Sequence, residues 1–321
     1  MNQLKNEIIK FILNTNIGFK LLRDRFDNVI IMYHGVTEKS CLGNKRHSLK
    51  NDFINHLYFL KRFTNIVTLD QFFKKEFKKN CINVAITFDD GYLNNYSIAK
   101  PILEKNNIPA TFFITGINQT EQIFLWADYI DFLGVSTLNE IKLKGLIFHK
   151  RYNTFITNEN IDIYHFIKNV DANYETKLEL YDSIPYTYYN RFLNSDPQFW
   201  KLMSDEDIKA TSKSKVISIQ SHGFFHNNLG TISHINAMNE INSSKNYLEN
   251  LTQKKIDTIG FPDGSYTREI LDDSINLGIT KFLAAEGYKY TEDNIDLRIL
   301  DRKGIYDVGS YQNQLFNVLK A

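Results

Sequence analysis

Residues 84–91 read VAITFDDG, and this segment is the strongest indication of the fold class. Its first five residues are apolar or β-branched, a composition typical of a buried strand. Asp89, Asp90 and Gly91 follow directly, and Asp and Gly are turn-forming residues. The stretch therefore predicts a buried strand whose C-terminal end carries two adjacent carboxylates.

Six other short runs of β-branched and aromatic residues predict further strands. They lie at 29–33, 66–69, 110–114, 216–220, 258–261 and 281–285. The segments between them have apolar residues at helical spacing, as in Phe53, Leu57 and Leu60. Repeated strand and helix units predict a mostly parallel sheet with right-handed crossovers. About seven such units favour a closed or nearly closed barrel, although periodicity alone does not separate a barrel from an open sheet.

One region interrupts this alternation. Between Ile114 and Val216 lie roughly 100 residues rich in Phe, Tyr and Trp, many more than a connection needs. Two interpretations stay open: a helical subdomain whose aromatic residues form its own core, and a lid whose aromatic rings contact a sugar. The first is favoured for most of these residues, because aromatic side chains bury large areas wherever they occur.

The composition excludes several classes of protein. Lys and Arg number 38 against 37 for Asp and Glu, so the net charge of +1 provides no basic excess for nucleic-acid binding. Gly (15) and Pro (5) are too few for extended disorder or Pro-rich linkers. The two cysteines, Cys41 and Cys81, form neither a disulfide framework nor a zinc ribbon. We therefore expect a compact protein without a nucleic-acid partner.

Residues 1–28 mix basic and apolar side chains and predict an amphipathic N-terminal helix. This helix either contacts an anionic membrane surface peripherally or covers one end of the barrel, and its irregular apolar spacing favours the second. It lacks the continuous apolar region of about 7 to 15 residues that a signal peptide contains. We therefore expect a cytoplasmic protein, with the inner membrane surface as the place of any membrane contact.

Polar residues follow four of the predicted strands: His34 the first, Asp89 and Asp90 the third, His222 the fifth and Asp263 the sixth. The C-terminal ends of the strands in a parallel barrel meet at one rim, where such folds place their active sites. We therefore expect these side chains to lie together.

Two histidines and a carboxylate indicate a metal site. His222 and His226 are four residues apart, so both can reach one face of a helical turn and share an ion. Alone, such a pair is weak evidence, and so is Asp-Asp-Gly after a strand. Combined, they supply two imidazoles and a carboxylate for a divalent ion and leave an adjacent carboxylate as a base. This donor set is typical of a hydrolytic metal site, where three protein ligands leave one position for water.

Six stretches together resemble the polysaccharide deacetylases, carbohydrate esterase family four, in its biosynthetic-type branch. In chain order they are 32–36 (MYHGV), 87–91 (TFDDG), 101–116 (PILEKNNIPATFFITG), 221–226 (SHGFFH), 260–266 (GFPDGSY) and 297–299 (LRI). They occur in the family's order, and the insertion is the part of the chain without a match.

The resemblance implies a distorted (β/α) barrel of about seven parallel strands, and an enzyme that removes the N-acetyl group from a hexosamine. Carried over by position, Asp89 is expected to be the general base. Asp90, His222 and His226 are expected to bind a divalent metal, usually Zn²⁺. The backbone N–H of Asp263 is expected to stabilise the oxyanion. The family commonly has Tyr at that position, and the change to Asp is compatible with a main-chain role but can also alter substrate preference.

Two of the family's residues are absent from their usual places. The family supplies a late histidine as general acid, and this chain has no histidine after His234. His34 is the candidate replacement, with a structural or substrate-binding role as the alternative. The arginine that orients the base is not evident either, and Arg298 is the candidate.

The resulting hypothesis is a metal-dependent hydrolase that acts on a non-peptide carbon–nitrogen bond. It removes N-acetyl groups from an amino sugar in a polysaccharide or glycan-biosynthesis intermediate, and its partner is that N-acetylated glycan. An O-acetyl esterase with the same site and a non-catalytic glycan-binding module are the alternatives. The predicted organisation is the N-terminal helix at 1–28, a catalytic barrel at 29–310 with an insertion at about 120–210, and a C-terminal tail at 311–321.

Overall fold

The computed structural model describes residues 27–41, 44–170 and 172–320. The amphipathic helix predicted at 1–28 lies outside these residues except for Asp27 and Asn28. Within the described residues, no helix has both the length and the apolar character needed to cross a bilayer.

Three neighbouring strands of the main sheet are buried along their whole length. The strands, in chain order, are β1 Val29–Tyr33, β2 Gly35–Thr37, β3 His47–Leu49, β4 Asn65–Ile66, β5 Asn83–Phe88, β6 Ala110–Ile114, β7 Glu140–Leu143, β8 Leu146–Arg151, β9 Thr154–Ile156, β10 Ile217–Ser221, β11 Thr258–Gly260, β12 Lys281–Leu283, β13 Ile299–Leu300 and β14 Lys303–Gly304. β5 is buried at every position, because both faces of a parallel sheet are covered. This explains why the run that precedes Asp89 is apolar or β-branched throughout.

The main sheet closes on itself. Its strands follow the order β13-β12-β11-β10-β6-β5-β1-β14, and their pairings are parallel. β13 pairs with β12, whereas β14, which begins three residues after β13 ends, pairs with β1. Three residues span at most roughly 10 Å, so the two ends of the sheet lie beside each other. The sheet is therefore curled into a distorted (β/α) barrel, as predicted, and residues 299–304 close it.

One predicted strand is shorter than expected, and a helix begins at its last residue. In the run 66–69, only Ile66 belongs to a strand, β4, which pairs with β5 beside the main path. Thr68 then starts a helix at Leu69, because its hydroxyl accepts the Gln71 N–H while the Gln71 side chain accepts the Thr68 N–H. This reciprocal capping box ends the extended run after two residues of strand.

Most helices outside residues 115–204 share one core with the main sheet. The α-helices are α1 Lys50–Phe63, α2 Leu69–Phe73, α3 Lys100–Asn106, α4 Trp126–Val135, α5 Ile163–His165, α6 Tyr174–Ser183, α7 Tyr186–Leu193, α8 Asp205–Ser212, α9 His234–Thr252, α10 Arg268–Ser274 and α11 Tyr311–Leu319. Shorter 3₁₀ or π-helical turns lie at Asn95–Ala99, Ile117–Gln119, Phe166–Val170, Pro197–Phe199, Pro262–Gly264, Ile275–Leu277 and Thr291–Asn294. α11 lies in the segment predicted as a tail, and its Leu315, Val318 and Leu319 are buried in the main core.

The insertion between β6 and β10 folds around its own core. Its buried aromatic residues, such as Phe124 and Phe148, pack in a cluster separate from the barrel core. Most aromatic residues of the insertion are therefore core residues, which agrees with the favoured interpretation. The insertion is not purely helical, however, because β7, β8 and β9 form an antiparallel sheet. The alternating exposed and buried residues of Glu140–Leu143 carry the signal for this sheet.

Candidate metal and catalytic site

The site residues predicted from the sequence meet at one rim of the barrel. Three of them, His34, Asp89 and His222, directly follow the C-terminal end of a strand, and Asp90, His226 and Asp263 come within five residues of such an end. All six line one cavity. They converge because parallel strands end at the same rim. The cavity is completed by residues of the insertion, including Trp126 and Tyr164.

Asp90, His222 and His226 form a cluster that fits a metal ion. Their candidate ligand atoms all lie within 4.8 Å of one another. Asp90 Oδ1 lies 3.3 Å from His222 Nε2 and 3.2 Å from His226 Nε2. This oxygen is buried, yet it accepts no hydrogen bond from the described residues. Buried polar atoms normally have a partner, and a cation between these three atoms would provide one.

His222 is oriented through its other ring nitrogen. His222 Nδ1 lies 2.7 Å from the carbonyl oxygen of Gly260, at the end of β11. A carbonyl oxygen only accepts, so Nδ1 carries the proton and donates it, which leaves the lone pair of Nε2 on the side of Asp90. A partner of this kind is what fixes the tautomer and ring orientation of a metal-binding histidine.

Burial and charge act in opposite directions on the pKa values of this cluster. Burial alone would raise the pKa of Asp90, but the adjacent imidazoles of His222 and His226 hold it well below its ordinary value. Burial would lower the pKa of His222, but Asp89 and Asp90 raise it above its ordinary value. Asp90 is therefore ionised, as a metal ligand has to be.

His226 lies on a loop, not on the helical turn that the spacing of the two histidines suggested. Gly223 and His226 have φ values of 74° and 52°, in the left-handed region, so the chain between them is not helical. Asp90 and Asp263 are also left-handed, with φ of 74° and 52°. Such a conformation costs about 1 to 3 kcal/mol for a residue other than Gly, so surrounding contacts must hold these residues in place.

Arg302, and not Arg298, is the cation beside Asp89. Arg302 Nη1 donates to Asp89 Oδ1 at 2.6 Å, its Nε donates to Ala284 O at 3.0 Å, and both charged side chains are buried. Arg298 lies nearer the surface and pairs with Asp296 at 2.7 Å. The candidate Arg298 is therefore wrong. Arg302 lies between β13 and β14, within residues 299–304, which close the sheet and are hereafter called the closure segment. Each of its two strands has only two residues and shows no periodic pattern in the sequence.

Asp263 forms an ion pair with Lys168, which belongs to the insertion. Lys168 Nζ donates to Asp263 Oδ1, and both residues line the cavity. Partial burial would raise the pKa of Asp263, but Lys168 holds it below its ordinary value. The sequence does not predict this contact, because the two residues are 95 positions apart.

His34 lies in the same cavity, and its Nδ1 is buried without a hydrogen bond to the described residues. Its ring lies 6.5 Å from that of Tyr306, centroid to centroid. Burial lowers the pKa of His34, although Asp90 and Asp89 oppose this shift. The imidazole is therefore at the site, and its Nδ1 has no partner among the described residues.

The sequence matches a known protein family. The family model for polysaccharide deacetylase covers residues 76–282. The protein YxkH of Bacillus subtilis (strain 168) is 30% identical over 134 residues, which are 36% of this chain and 44% of that protein. The chain thus aligns with less than half the length of this relative. The family resemblance inferred from the motifs is confirmed.

Solved structures share the fold. The deacetylase PplD of Streptococcus pyogenes, in complex with acetate, aligns with 92% of this chain and 98% of its own, with a TM-score of 0.58 and 17% identity. IcaB from Ammonifex degensii aligns with 92% of this chain and 98% of its own, with a TM-score of 0.56 and 15% identity. At these identities the likeness concerns the fold alone, and it agrees with the distorted barrel.

Replacing Arg302 should destabilise the protein far more than replacing Arg298. Arg302→Met leaves the buried Asp89 carboxylate without its cation, which should lower the free energy of unfolding by about 3 to 5 kcal/mol. Arg298→Met removes more exposed pairs and should lower it by less than about 1 kcal/mol. Denaturant unfolding of both variants and of the unmutated protein measures the difference. Equal destabilisation by the two changes would contradict the assignment of Arg302 as the buried partner.

Proposed function

This chain belongs to the polysaccharide deacetylase family, and we propose that it is a metal-dependent hydrolase that removes N-acetyl groups from an amino sugar in a polysaccharide or glycan-biosynthesis intermediate. The observation that carries the proposal is the cluster of Asp90, His222 and His226 beside Asp89, a carboxylate that already has its own cation. Two imidazoles and one carboxylate are a ligand set of catalytic zinc sites, so we expect Zn²⁺. The ion, when bound, polarises the acetyl carbonyl and lowers the pKa of water.

Asp89 is proposed as the general base. Arg302 binds its Oδ1 at 2.6 Å, whereas its Oδ2 lies 3.7 Å from His222 Nε2, next to the metal cluster. One oxygen is thus held by the arginine, and the other is placed to take a proton from the attacking water. Asp90 has the complementary arrangement, since its Oδ1 lies beside both imidazoles.

The main-chain N–H of Asp263 is proposed to stabilise the oxyanion that forms on the acetyl group. Asp263 lines the cavity within the turn Pro262–Gly264. Its own carboxylate would repel a developing negative charge, but Lys168 forms an ion pair with it. The insertion therefore neutralises the side chain that replaces the family's usual Tyr, and this favours oxyanion binding by the main chain.

His34 is proposed as the general acid that protonates the leaving amine. It lines the cavity with Asp89 and Asp90 and has a ring nitrogen without a partner among the described residues. Its lowered pKa makes the protonated form a stronger acid, which favours proton transfer, but reduces the protonated fraction at neutral pH. A substrate-binding role for His34 is the alternative.

An O-acetyl esterase is the second candidate, and the absence of a histidine after His234 favours it. An alkoxide leaves with less help from an acid than an amine does, so this site needs less assistance to cleave an ester. The third candidate, a non-catalytic glycan-binding module, is disfavoured because binding alone requires no base beside the metal cluster.

Acetate release from paired substrates tests the proposed reaction. The zinc-loaded protein should release acetate from an N-acetylated amino-sugar oligomer faster than from its O-acetylated counterpart. A chelator should abolish release from both, because the base alone does not activate the carbonyl. Faster release from the O-acetylated substrate would favour the esterase. Release from neither substrate would contradict both enzymatic candidates.

The two adjacent aspartates should respond differently to the same replacement. Asp89→Asn should retain zinc and lose turnover by about 10²-fold or more, the size of a general-base contribution. Asp90→Asn should lower zinc affinity, because a neutral amide replaces an anionic ligand. Metal analysis of the purified variants and their rates of acetate release measure both effects. If Asp90→Asn kept zinc and Asp89→Asn lost it, the two roles would be reversed.

The role of His34 can be read from the dependence on the leaving group. His34→Ala should retain zinc and slow the release of an amine, which needs a proton, while an activated acetate ester should be hydrolysed nearly as fast as by the unmutated enzyme. Rates on the amide and on the activated ester, measured with both proteins, give this ratio. Equal losses on the two substrates would show that His34 orients the substrate or supports the rim.

A further inference from the structure

A buried lysine of the insertion binds the loop that carries His226. Lys177, in α6, is 2% exposed. Its ammonium donates to Phe225 O at 2.9 Å, to His226 O at 2.8 Å and to Asn227 Oδ1 at 2.6 Å. An ammonium has three N–H donors, so all of them are used within three consecutive residues of this loop.

A buried anion holds the same loop from the opposite side. Glu240, in α9, is also 2% exposed, and its Oε1 accepts the N–H groups of Phe225 at 3.0 Å and Asn227 at 3.1 Å. Its Oε2 accepts the side-chain amide of Asn227 at 2.9 Å. Lys177 binds carbonyl groups and Glu240 binds N–H groups, so the loop is fixed between a cation of the insertion and an anion of the barrel.

A second contact joins α6 to the loop. The ring of Tyr174 stacks on that of Phe225, with centroids 4.4 Å apart and an angle of 26° between the planes. Tyr174 and Lys177 are three residues apart on a helix and therefore lie on the same face. α6 thus contacts the loop through both an aromatic ring and a charge.

His226 needs such support because of its backbone. Its φ of 52° is in the left-handed region, and the residue lies outside the helices and strands of the described chain. Contacts from other residues must therefore hold this conformation. The carbonyl that Lys177 binds belongs to His226 itself, and the imidazole of the same residue lies 3.2 Å from Asp90 Oδ1. Lys177 therefore acts on the backbone from which this ligand projects.

We propose that Lys177 is a positioning residue for His226, so that the insertion forms part of the metal site. The proposal rests on the metal site of the proposed function. A positioning role and a merely structural role have different consequences. If Lys177 only attached the insertion to the barrel, losing it would lower the stability of the protein without a specific effect on metal affinity.

Zinc affinity separates the two roles. Lys177→Met keeps an unbranched side chain of similar size and removes the three donors. The matched control is Lys150→Met, because Lys150 also donates to a carbonyl, that of Ser136, but within the insertion. Competition with a chromophoric chelator measures the zinc affinity. We expect it to fall about 10- to 100-fold in Lys177→Met, which is the usual effect of losing a residue that supports a metal ligand. In Lys150→Met it should be unchanged. Equal affinities in the two variants would overturn the proposal.

A measurement on the unmutated protein covers the case in which Lys177→Met does not fold. If Lys177 couples α6 to His226, bound zinc must also stabilise α6, because coupling between two sites is reciprocal. Amide hydrogen exchange in α6 should therefore slow when zinc is added, while exchange in β8 of the insertion should not change. An α6 whose exchange is unaffected by zinc would overturn the proposal.

His226→Ala distinguishes a failure of this proposal from a failure of the metal site. It should lose zinc and the zinc-dependent slowing of exchange in α6. If His226→Ala bound zinc as tightly as the unmutated protein, the metal site itself would be wrong. If His226→Ala lost zinc while Lys177→Met and Lys150→Met both retained it, only the role of Lys177 would be wrong.

Discussion

The site depends on a buried ion pair, between Asp89 and Arg302, that joins the proposed base to the closure of the sheet. Asp89 directly follows β5, and Arg302 separates β13, which pairs with β12, from β14, which pairs with β1. A buried charge costs several kcal/mol of desolvation, which only a close partner in good geometry offsets. The carboxylate therefore requires the closure segment to stay in register with both of its neighbours. A barrel that failed to close would leave Asp89 without its cation.

The three aspartates that line the cavity among the described residues differ in their partners. Asp89 has Arg302, and Asp263 has Lys168, so a fixed positive charge already balances each of them. Asp90 has the two imidazoles instead, and its buried Oδ1 accepts no hydrogen bond from the described part of the chain. A divalent cation is therefore best accommodated at Asp90. This difference in partners explains how two adjacent aspartates in one turn can take different roles.

The sequence predicts the strands, which depend on residues close together in the chain, and whatever follows from the common rim at which parallel strands end. The apolar run of β5 predicts a buried strand, and the common rim of parallel strands is enough to place Asp89 near His222. The contact of Arg302 with Asp89 cannot be predicted in this way, because Arg302 lies between two strands of two residues each and Asp89 is 213 positions away. The left-handed backbone of His226 escapes it as well, since spacing of i and i+4 is equally compatible with a helical turn. What the pattern misses is determined by tertiary contacts.

Two lysines of the insertion bind acceptor groups of the barrel, namely a carboxylate and main-chain carbonyls. Lys168 balances the carboxylate of Asp263, and Lys177 binds the carbonyls of the loop whose N–H groups Glu240 already accepts. Without the insertion, the buried Glu240 would lose the nearby positive charge of Lys177. Removing one partner of a buried ion pair destabilises a protein by more than the complete pair stabilises it. The insertion has a hydrophobic core of its own, but its Lys168 and Lys177 form their contacts with residues of the barrel's site. An exchange of this segment would therefore alter the electrostatics of the catalytic rim along with the wall of the cavity.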